Sequence, residues 1–195
     1  HALLDSFNVY GTQLLLPFSD YPVGWSTMFV IDPLYTIPLL IGVASLLFMR
    51  KKQAIALKLN GIGLLLSSLY LVWSIGAKAH VHSVAERSLS DQDIAVSKTL
   101  AGPTPFNTLL WRVVGKTENG YVEGFYSVLD ETKRIKFKEY PSENGLIQPI
   151  ADDWNVKRLM WFTSGFYKVS VVGDKIVITD IRMGVSGLYF FNFVV

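Results

Sequence analysis

Two long apolar runs dominate the first part of the chain. Residues 33–49 form a run of 17 uncharged residues, and residues 59–77 form a second run of 19. As α-helices these runs would be roughly 26 and 28 Å long, close to the hydrocarbon thickness of a bilayer. The pattern therefore predicts two spanning helices, within a membrane region that covers residues 1–79.

A short basic loop, RKKQAIALK, joins the two predicted spans. Short loops rich in lysine and arginine remain on the cytoplasmic side of a membrane. The two spans then form a helical hairpin, so residues 1–30 and the chain after the second span are expected together on the other side. In the second span, Gly63 and Ser67 allow close helix contact. Tyr70 and Trp73 fit an aromatic belt at the outer interface.

The segment before the first span combines a polar stripe with a loop. Polar residues recur at helical spacing over residues 1–12, which predicts a short helix with one polar face. The stripe consists of His1, Asp5, Asn8 and Thr12. Residues 13–31 contain Pro17, Pro22 and Gly24 among apolar residues, which argues against a continuous helix. An interfacial or re-entrant loop is predicted there.

The remainder, residues 80–195, is predicted to be an extramembrane α+β domain, mostly of antiparallel strands. It opens with a helical stretch to about Leu100, interrupted near residues 90–93. Six later segments are rich in β-branched and aromatic residues and are separated by turn residues. VSVVGDKIVI indicates a hairpin around Gly173 and Asp174, and one short helix is expected over residues 155–162.

Composition and charge narrow the possible partners. Half of the residues are hydrophobic and the mean hydropathy is +0.33, which favours a membrane protein and makes the bilayer the first expected partner. Residues 1–79 carry five Lys/Arg against three acidic residues, whereas the rest carries thirteen of each. A charge-balanced distal domain argues against nucleic-acid binding. The chain has no cysteine, so a metal would be held by His, Asp or Glu.

The polar stripe is the first candidate site. A His and an Asp at positions i and i+4 of a helix can reach one divalent cation, and Asn8 could orient such a ligand. A hydrogen-bonded polar face without a metal is the alternative. Asp32 is the second candidate, because ionisable residues at membrane depth are often functional. Since Pro33 follows it, Asp32 is also suited to cap the first spanning helix.

Three distal residues are further candidates. Arg112 lies among apolar residues, so its guanidinium either reaches solvent or lipid headgroups, or meets an acid. Asp180 and Arg182 are two apart on one strand and share a face, where they could pair with each other or with a ligand. The sequence contains no Ser-His-Asp elbow, Gly-rich phosphate loop or HExxH motif. His80 and His82 are interpreted as surface residues next to the membrane.

Several of these segments together resemble the bacterial inner-membrane metal-dependent hydrolases of the YdjM-like type. HALLDSFNVYGTQLLLPFSD resembles the family's His-x-x-x-Asp helix, and FVIDPLYTIPLL resembles the start of its next spanning helix. PTPFNTLLWRVV, GYVEGFYSVLD and ITDIRMG resemble the distal domain of some members. The resemblance implies a multi-pass inner-membrane hydrolase with a divalent metal, zinc or manganese, held by His1 and Asp5. It also implies Asp32 as the acidic partner.

The chain departs from that family at its start. A His-Arg-Gly-x-Thr-His-Ser type motif on an earlier helix has no counterpart, and the chain begins with His1 rather than methionine. We therefore expect a fragment or a processed product, with the remaining metal ligands in the upstream segment. Two functions stay open. One is a hydrolase that acts on lipid-linked or envelope substrates. The other is a membrane-anchored binding or scaffold protein whose β-rich domain contacts an envelope protein or a lipid headgroup.

Overall fold

The computed structural model describes residues 1–195. Its helices are α1 (Ala2–Asp5), α2 (Pro33–Phe48), α3 (Gln53–Ser90) and α4 (Trp154–Phe162), with 3-10 turns at Arg50–Lys52 and Asn144–Ile150. Its strands are β1 (Lys98–Pro103), β2 (Leu110–Thr117), β3 (Gly120–Ser127), β4 (Lys138–Pro141), β5 (Tyr167–Val172), β6 (Lys175–Asp180), β7 (Gly184–Val185), β8 (Leu188–Tyr189) and β9 (Asn192–Val194). A long apolar helix with further helices is thus followed by a mostly antiparallel β region.

The chain divides into two compact units, and each unit is built from three separate stretches of the sequence. The first unit contains residues 1–83, 101–111 and 126–132. The second unit contains residues 84–100, 112–125 and 133–195. Residues 101–111 therefore fold together with the apolar helices, although they follow the end of α3.

The first apolar run forms α2, and the second lies within the much longer α3. Asp32 caps α2 and Pro33 occupies its first turn, as the Asp-Pro pair indicates. The helical stretch Arg50–Asp91 is the one helix long and apolar enough to cross a membrane by length and composition, and α2 is shorter. The predicted end near residue 77 is wrong, because the polar sequence that follows contains no Gly or Pro and continues the helix to Ser90.

Small residues allow α2 and α3 to approach closely. A Cβ atom placed on Gly63 would collide with the carbonyl oxygen of Pro38. The hydroxyl of Ser67 donates to the carbonyl oxygen of Tyr35 at 2.8 Å, and that of Ser45 donates to the carbonyl oxygen of Ala56 at 3.1 Å. The prediction that Gly63 and Ser67 permit close helix contact is confirmed.

The predicted helix over residues 1–12 ends early, at Asp5. The side-chain oxygen of Asn8 accepts hydrogen bonds from the backbone amides of Tyr10 and Gly11, at 2.9 and 3.0 Å. This local bonding competes with helix formation, and Gly11 has a φ of 72° that a continuing helix excludes. Residues 13–31 contain no helix, and a single bridge joins Thr12 to Val23.

The distal strands form one four-stranded sheet, one three-stranded sheet and a two-stranded ribbon. Their orders are β1-β2-β3-β4, β5-β6-β9 and β7-β8. The helical stretch expected from about residue 80 and its interruption near residues 90–93 are confirmed, because α3 runs to Ser90 and a turn follows. Its expected continuation to Leu100 is wrong, because β1 pairs with β2 from Lys98 onward. Sheet pairing thus overrides the local helical tendency.

The hairpin around Gly173 and the short helix are confirmed. Val172 pairs with Lys175 across the turn, in which Gly173 has a φ of 66°. One face of α4 packs on the β5–β6 hairpin, and the fully buried centre of this contact consists of Ile147, Val156, Val169 and Ile178. A second cluster in the same unit consists of Val114, Tyr121, Phe166 and Ile181.

Candidate functional site

Three of the residues singled out in the sequence line one cavity. Asp5, Asn8 and Asp32 face a space of about 140 Å³, closed otherwise mainly by apolar side chains that include Met28 and Phe29. The Asp and the Asn come from α1 and the turn after it, whereas Asp32 precedes α2. The cavity is large enough for an ion or a few water molecules, and its wall combines these polar groups with apolar side chains.

Asp32 is held rigidly at this cavity. Its carboxylate is buried, with 2% of the residue exposed. One carboxylate oxygen accepts the backbone amides of Leu34 at 3.0 Å and Tyr35 at 3.4 Å. The other accepts the hydroxyl of Tyr70 at 2.7 Å. Because a carboxylate offers about four acceptor positions, Asp32 caps the helix and retains one position for another group.

Asp5 is the more open of the two carboxylates. Its side chain is 48% exposed and lies 3.4 Å from Nε2 of His1, whose own side chain is 94% exposed. Ion pairs in such an exposed place contribute about 0–1 kcal/mol to stability. The His1–Asp5 contact expected from the spacing is present. Because solvent surrounds the imidazole, the contact adds little stability.

The other two residues of the stripe, Asn8 and Thr12, form hydrogen bonds with nearby backbone groups. The side-chain oxygen of Asn8 is occupied by two backbone amides, so its amino group is the part that can serve the cavity. Thr12 does not line the cavity, and its backbone pairs with Val23. Its position in the stripe is lost because the helix ends before it.

No three His, Cys, Asp or Glu side chains form a group that could hold a metal ion. His80 lies in α3, where its Nε2 is 3.1 Å from the hydroxyl of Tyr126. Neither His80 nor His82 lines the cavity. Two carboxylates and one amide are thus what the cavity itself offers.

Arg112 meets an acid, as one of the two interpretations of its apolar surroundings predicts. Its guanidinium forms a buried ion pair with Glu123, and the exposed fractions of the two residues are 7% and 5%. Its Nη1 also donates to the carbonyl oxygen of Ile181 at 2.8 Å. Tyr189 lies within 3.4 Å of Nη2, and burial raises the pKa of the Tyr189 hydroxyl. Glu123 could not be recognised as the partner of Arg112 from the sequence, because its own neighbours are equally apolar.

Asp180 and Arg182 form a two-pronged ion pair with each other. The Nε atom of Arg182 donates to one carboxylate oxygen of Asp180 at 3.0 Å, and its Nη2 donates to the other at 2.7 Å. Asp180 is 1% exposed and Arg182 is 7% exposed. The guanidinium also lies 4.7 Å from the ring centre of Phe162. The geometry agrees with a structural ion pair rather than with a ligand site.

Tyr70 is a partner of the cavity residue Asp32 that could not be recognised from the sequence. Its position near the end of the second apolar run suggested only an aromatic belt. The hydroxyl instead donates to Asp32, which is 38 residues away in the sequence. The one available hint was that a buried carboxylate between two apolar helices requires a donor from the neighbouring helix.

The long apolar helix, which could cross a membrane by its length and composition, favours a membrane protein. Residues 1–81 match the family described as YdjM inner membrane protein, which confirms the resemblance over that part of the chain and supports an inner-membrane location. Asp5, Asn8, Asp32 and Tyr70 all lie in the matched part. Comparison with curated proteins and with solved structures gives no match.

Proposed function

We propose that this chain is a membrane-bound, metal-dependent hydrolase whose active site includes the cavity lined by Asp5, Asn8 and Asp32. The observation that carries the proposal is the meeting of these side chains, from two separate segments, in one cavity of about 140 Å³. We further propose that α2 and α3 cross the membrane as a hairpin. The basic turn would then be cytoplasmic, and the β-rich region would lie on the other side.

The donor types suit a divalent cation, although their number is small. Carboxylate oxygens bind hard cations such as manganese, and carboxylate with imidazole also binds zinc. In the proposal Asp5 and His1 are the ligands, as their contact at 3.4 Å allows. Because no group of three such side chains is present, these two residues alone would make a weak site. A bound divalent cation would lower the pKa of a water and make it a nucleophile at neutral pH.

Asp32 would act on that water rather than on the metal. Its carboxylate is fixed by two backbone amides and by Tyr70, and its remaining acceptor position is available to a water in the cavity. Such a carboxylate can orient the water or accept its proton. The substrate class we propose is a lipid-linked or envelope molecule, since the proposed topology would place the cavity on the outer side, near the lipid headgroups.

Metal analysis of the full-length chain purified in detergent tests this function. With zinc or manganese supplied in excess in the buffer, we expect the wild type to bind about one ion per chain. Asp5→Asn should lose it, because the amide removes the negative charge while keeping the shape of the side chain. Asp20→Asn is the matched control, because Asp20 is exposed and lies in the same unit, outside the cavity.

Equal metal content in the wild type and Asp5→Asn would contradict the metal site. If the metal behaves as expected, hydrolysis of phosphate-ester and amide substrates should be screened next. In that screen Asp32→Asn should retain the metal and lose hydrolysis, whereas Asp5→Asn should lose both.

A binding or scaffold role is the second proposal, favoured by a groove in the second unit. It has a volume of about 500 Å³ and is lined by α4 and β9, including Trp154, Arg158 and Phe193. Trp154 is 72% exposed, and exposed aromatic and arginine residues are common in protein interfaces. A photo-crosslinking residue in place of Trp154, compared with one in place of exposed Leu129, tests this role. Equal crosslinking from both positions would contradict it.

A further inference from the structure

A continuous series of three hydrogen bonds connects Trp73 to Asp32. The indole Nε1 of Trp73 is 3.1 Å from the hydroxyl oxygen of Thr108. That hydroxyl lies 3.0 Å from the hydroxyl of Tyr70, which in turn donates to Asp32 at 2.7 Å. We refer to Trp73, Thr108 and Tyr70 as the relay.

Chemistry fixes the direction of every bond in the relay. An indole N–H can only donate, and an ionised carboxylate can only accept. Thr108 must therefore accept from Trp73 and donate to Tyr70, which leaves the hydroxyl hydrogen of Tyr70 for Asp32. Bonds aligned in this way polarise one another, so that the last one is stronger than an isolated bond.

Thr108 reaches the relay from beyond the part of the chain that matches the family model. It lies after residue 81, in residues 101–111, which fold into the same unit as α2 and α3. The turn around it is well fixed, because Asn107 accepts the backbone amides of Leu109 and Leu110 at 2.9 and 2.8 Å. The carbonyl of Thr108 accepts the indole of Trp111 at 2.8 Å. Thr108 itself is 1% exposed.

We propose that Tyr70 and Thr108 are positioning residues for Asp32, so that the distal part of the chain completes the site in the membrane region. The relay holds one oxygen of Asp32 while the amides at the start of α2 hold the other. The carboxylate then presents one fixed acceptor position to the cavity. The role of Asp32 in hydrolysis rests on the proposed function, whereas the orientation of its carboxylate does not.

Infrared spectroscopy of the metal-free, full-length chain tests the relay. The difference spectrum between the wild type and Asp32→Asn isolates the stretching band of this carboxylate. Thr108→Val keeps the shape of the side chain but removes its hydroxyl, and it should shift the band in the direction seen for Tyr70→Phe. Thr108→Ser restores the hydroxyl and should return the band to its wild-type position.

A matched control separates the relay from general damage to the turn. Thr104 lies in the same turn and donates to the carbonyl oxygen of Leu110 at 3.1 Å, so Thr104→Val removes a hydroxyl outside the relay and should leave the band unchanged. In a Tyr70→Phe background, Thr108→Val should add no further shift.

Two outcomes would overturn the proposal. One is a carboxylate band that Thr108→Val leaves unshifted, and the other is a shift by Thr108→Val that is equally large in the wild-type and the Tyr70→Phe backgrounds. Because these spectra need neither metal nor substrate, they can support the relay even where the metal analysis contradicts the hydrolase.

Discussion

Asp5 and Asp32 line the same cavity, although one belongs to α1 and the other caps α2. The first is half exposed and the second is buried, so the two carboxylates have different surroundings. Different surroundings allow two acids in one site to take different roles. This division underlies the proposal that Asp5 binds a metal while Asp32 acts on water.

The close contact between α2 and α3 predicts opposite effects for two glycines of the same helix. Gly63→Ala should lower the free energy of unfolding by about 1–3 kcal/mol, because its methyl group would collide with the carbonyl of Pro38. Gly61→Ala is the control, since a Cβ there meets no atom within 4 Å. Alanine favours a helix by about 1 kcal/mol over glycine, so the control should be neutral or stabilising. Thermal unfolding in detergent measures both, and equal effects would contradict the contact.

The helices α2 and α3, apart from the end of α3, and their small-residue contact were predicted correctly from the sequence. Gly63 and Ser67 were visible as a small-residue pair, and both apolar runs form helices, because these signals depend on residues close in sequence. The polar stripe was only partly correct. Asn8 bonds to the amides of its own turn and ends the helix, yet the turn still brings Asp5 and Asn8 to the cavity.

Long-range partners could not be predicted. Nothing near Arg112 indicates that Glu123, rather than another acid, would be its partner, and nothing near Tyr70 indicates Thr108. These pairs depend on which strands and turns meet, and the spacing of apolar residues does not specify that. Likewise, residues 98–100 at the start of β1 were predicted as helix, and only the pairing of β1 with β2 makes them a strand.

Because Arg112 and Glu123 form a buried ion pair, we expect the loss of either partner alone to destabilise the fold more than half as much as the loss of both. Arg112→Met or Glu123→Gln alone should cost about 3–5 kcal/mol, because each leaves a buried group without its partner. The double variant should cost less than the sum of the two. Chemical unfolding measures all three. As the control, Asp152→Asn removes the exposed pair with Lys157 and should change stability by about 1 kcal/mol or less. Additive losses in the double variant would contradict the coupling.

The loop before α2 predicts insertion into the membrane interface. Phe18 is 94% exposed, and Leu15, Leu16 and Tyr21 beside it are each more than half exposed. The loop is nevertheless held by hydrogen bonds, such as the one from the side chain of Gln13 to the carbonyl oxygen of Asp20 at 2.8 Å. Because the chain has no cysteine, a fluorophore on Phe18→Cys reports this position alone.

In lipid nanodiscs, nitroxide-labelled lipids should quench a fluorophore on Phe18→Cys strongly. The same fluorophore on Asp152→Cys, at an exposed position of the distal region, should be quenched weakly. Equal quenching at the two positions would argue against insertion of the loop.

Lys116 predicts a rise in stability at alkaline pH. Burial lowers the pKa of its ammonium group to about 8, and the neighbouring Lys98 lowers it as well. The ordinary lysine pKa is 10.5, so between these values the unfolded chain binds more protons than the folded chain. Stability then increases with pH across this window, whereas below pH 8 both states are protonated and Lys116 gives no slope.

The ammonium group of Lys116 also lies 3.7 Å from the ring centre of Tyr167 and donates to the carbonyl oxygen of Gly165 at 2.8 Å. Lys116→Met should therefore lose those contacts. It should also reduce the rise of the free energy of unfolding between pH about 8 and about 10, a range that lies below the usual titration of tyrosine. Thermal unfolding at several pH values measures the slope. Lys133→Met, at an exposed lysine of the same unit, should keep the wild-type slope. An unchanged slope in Lys116→Met would show that another group causes the rise.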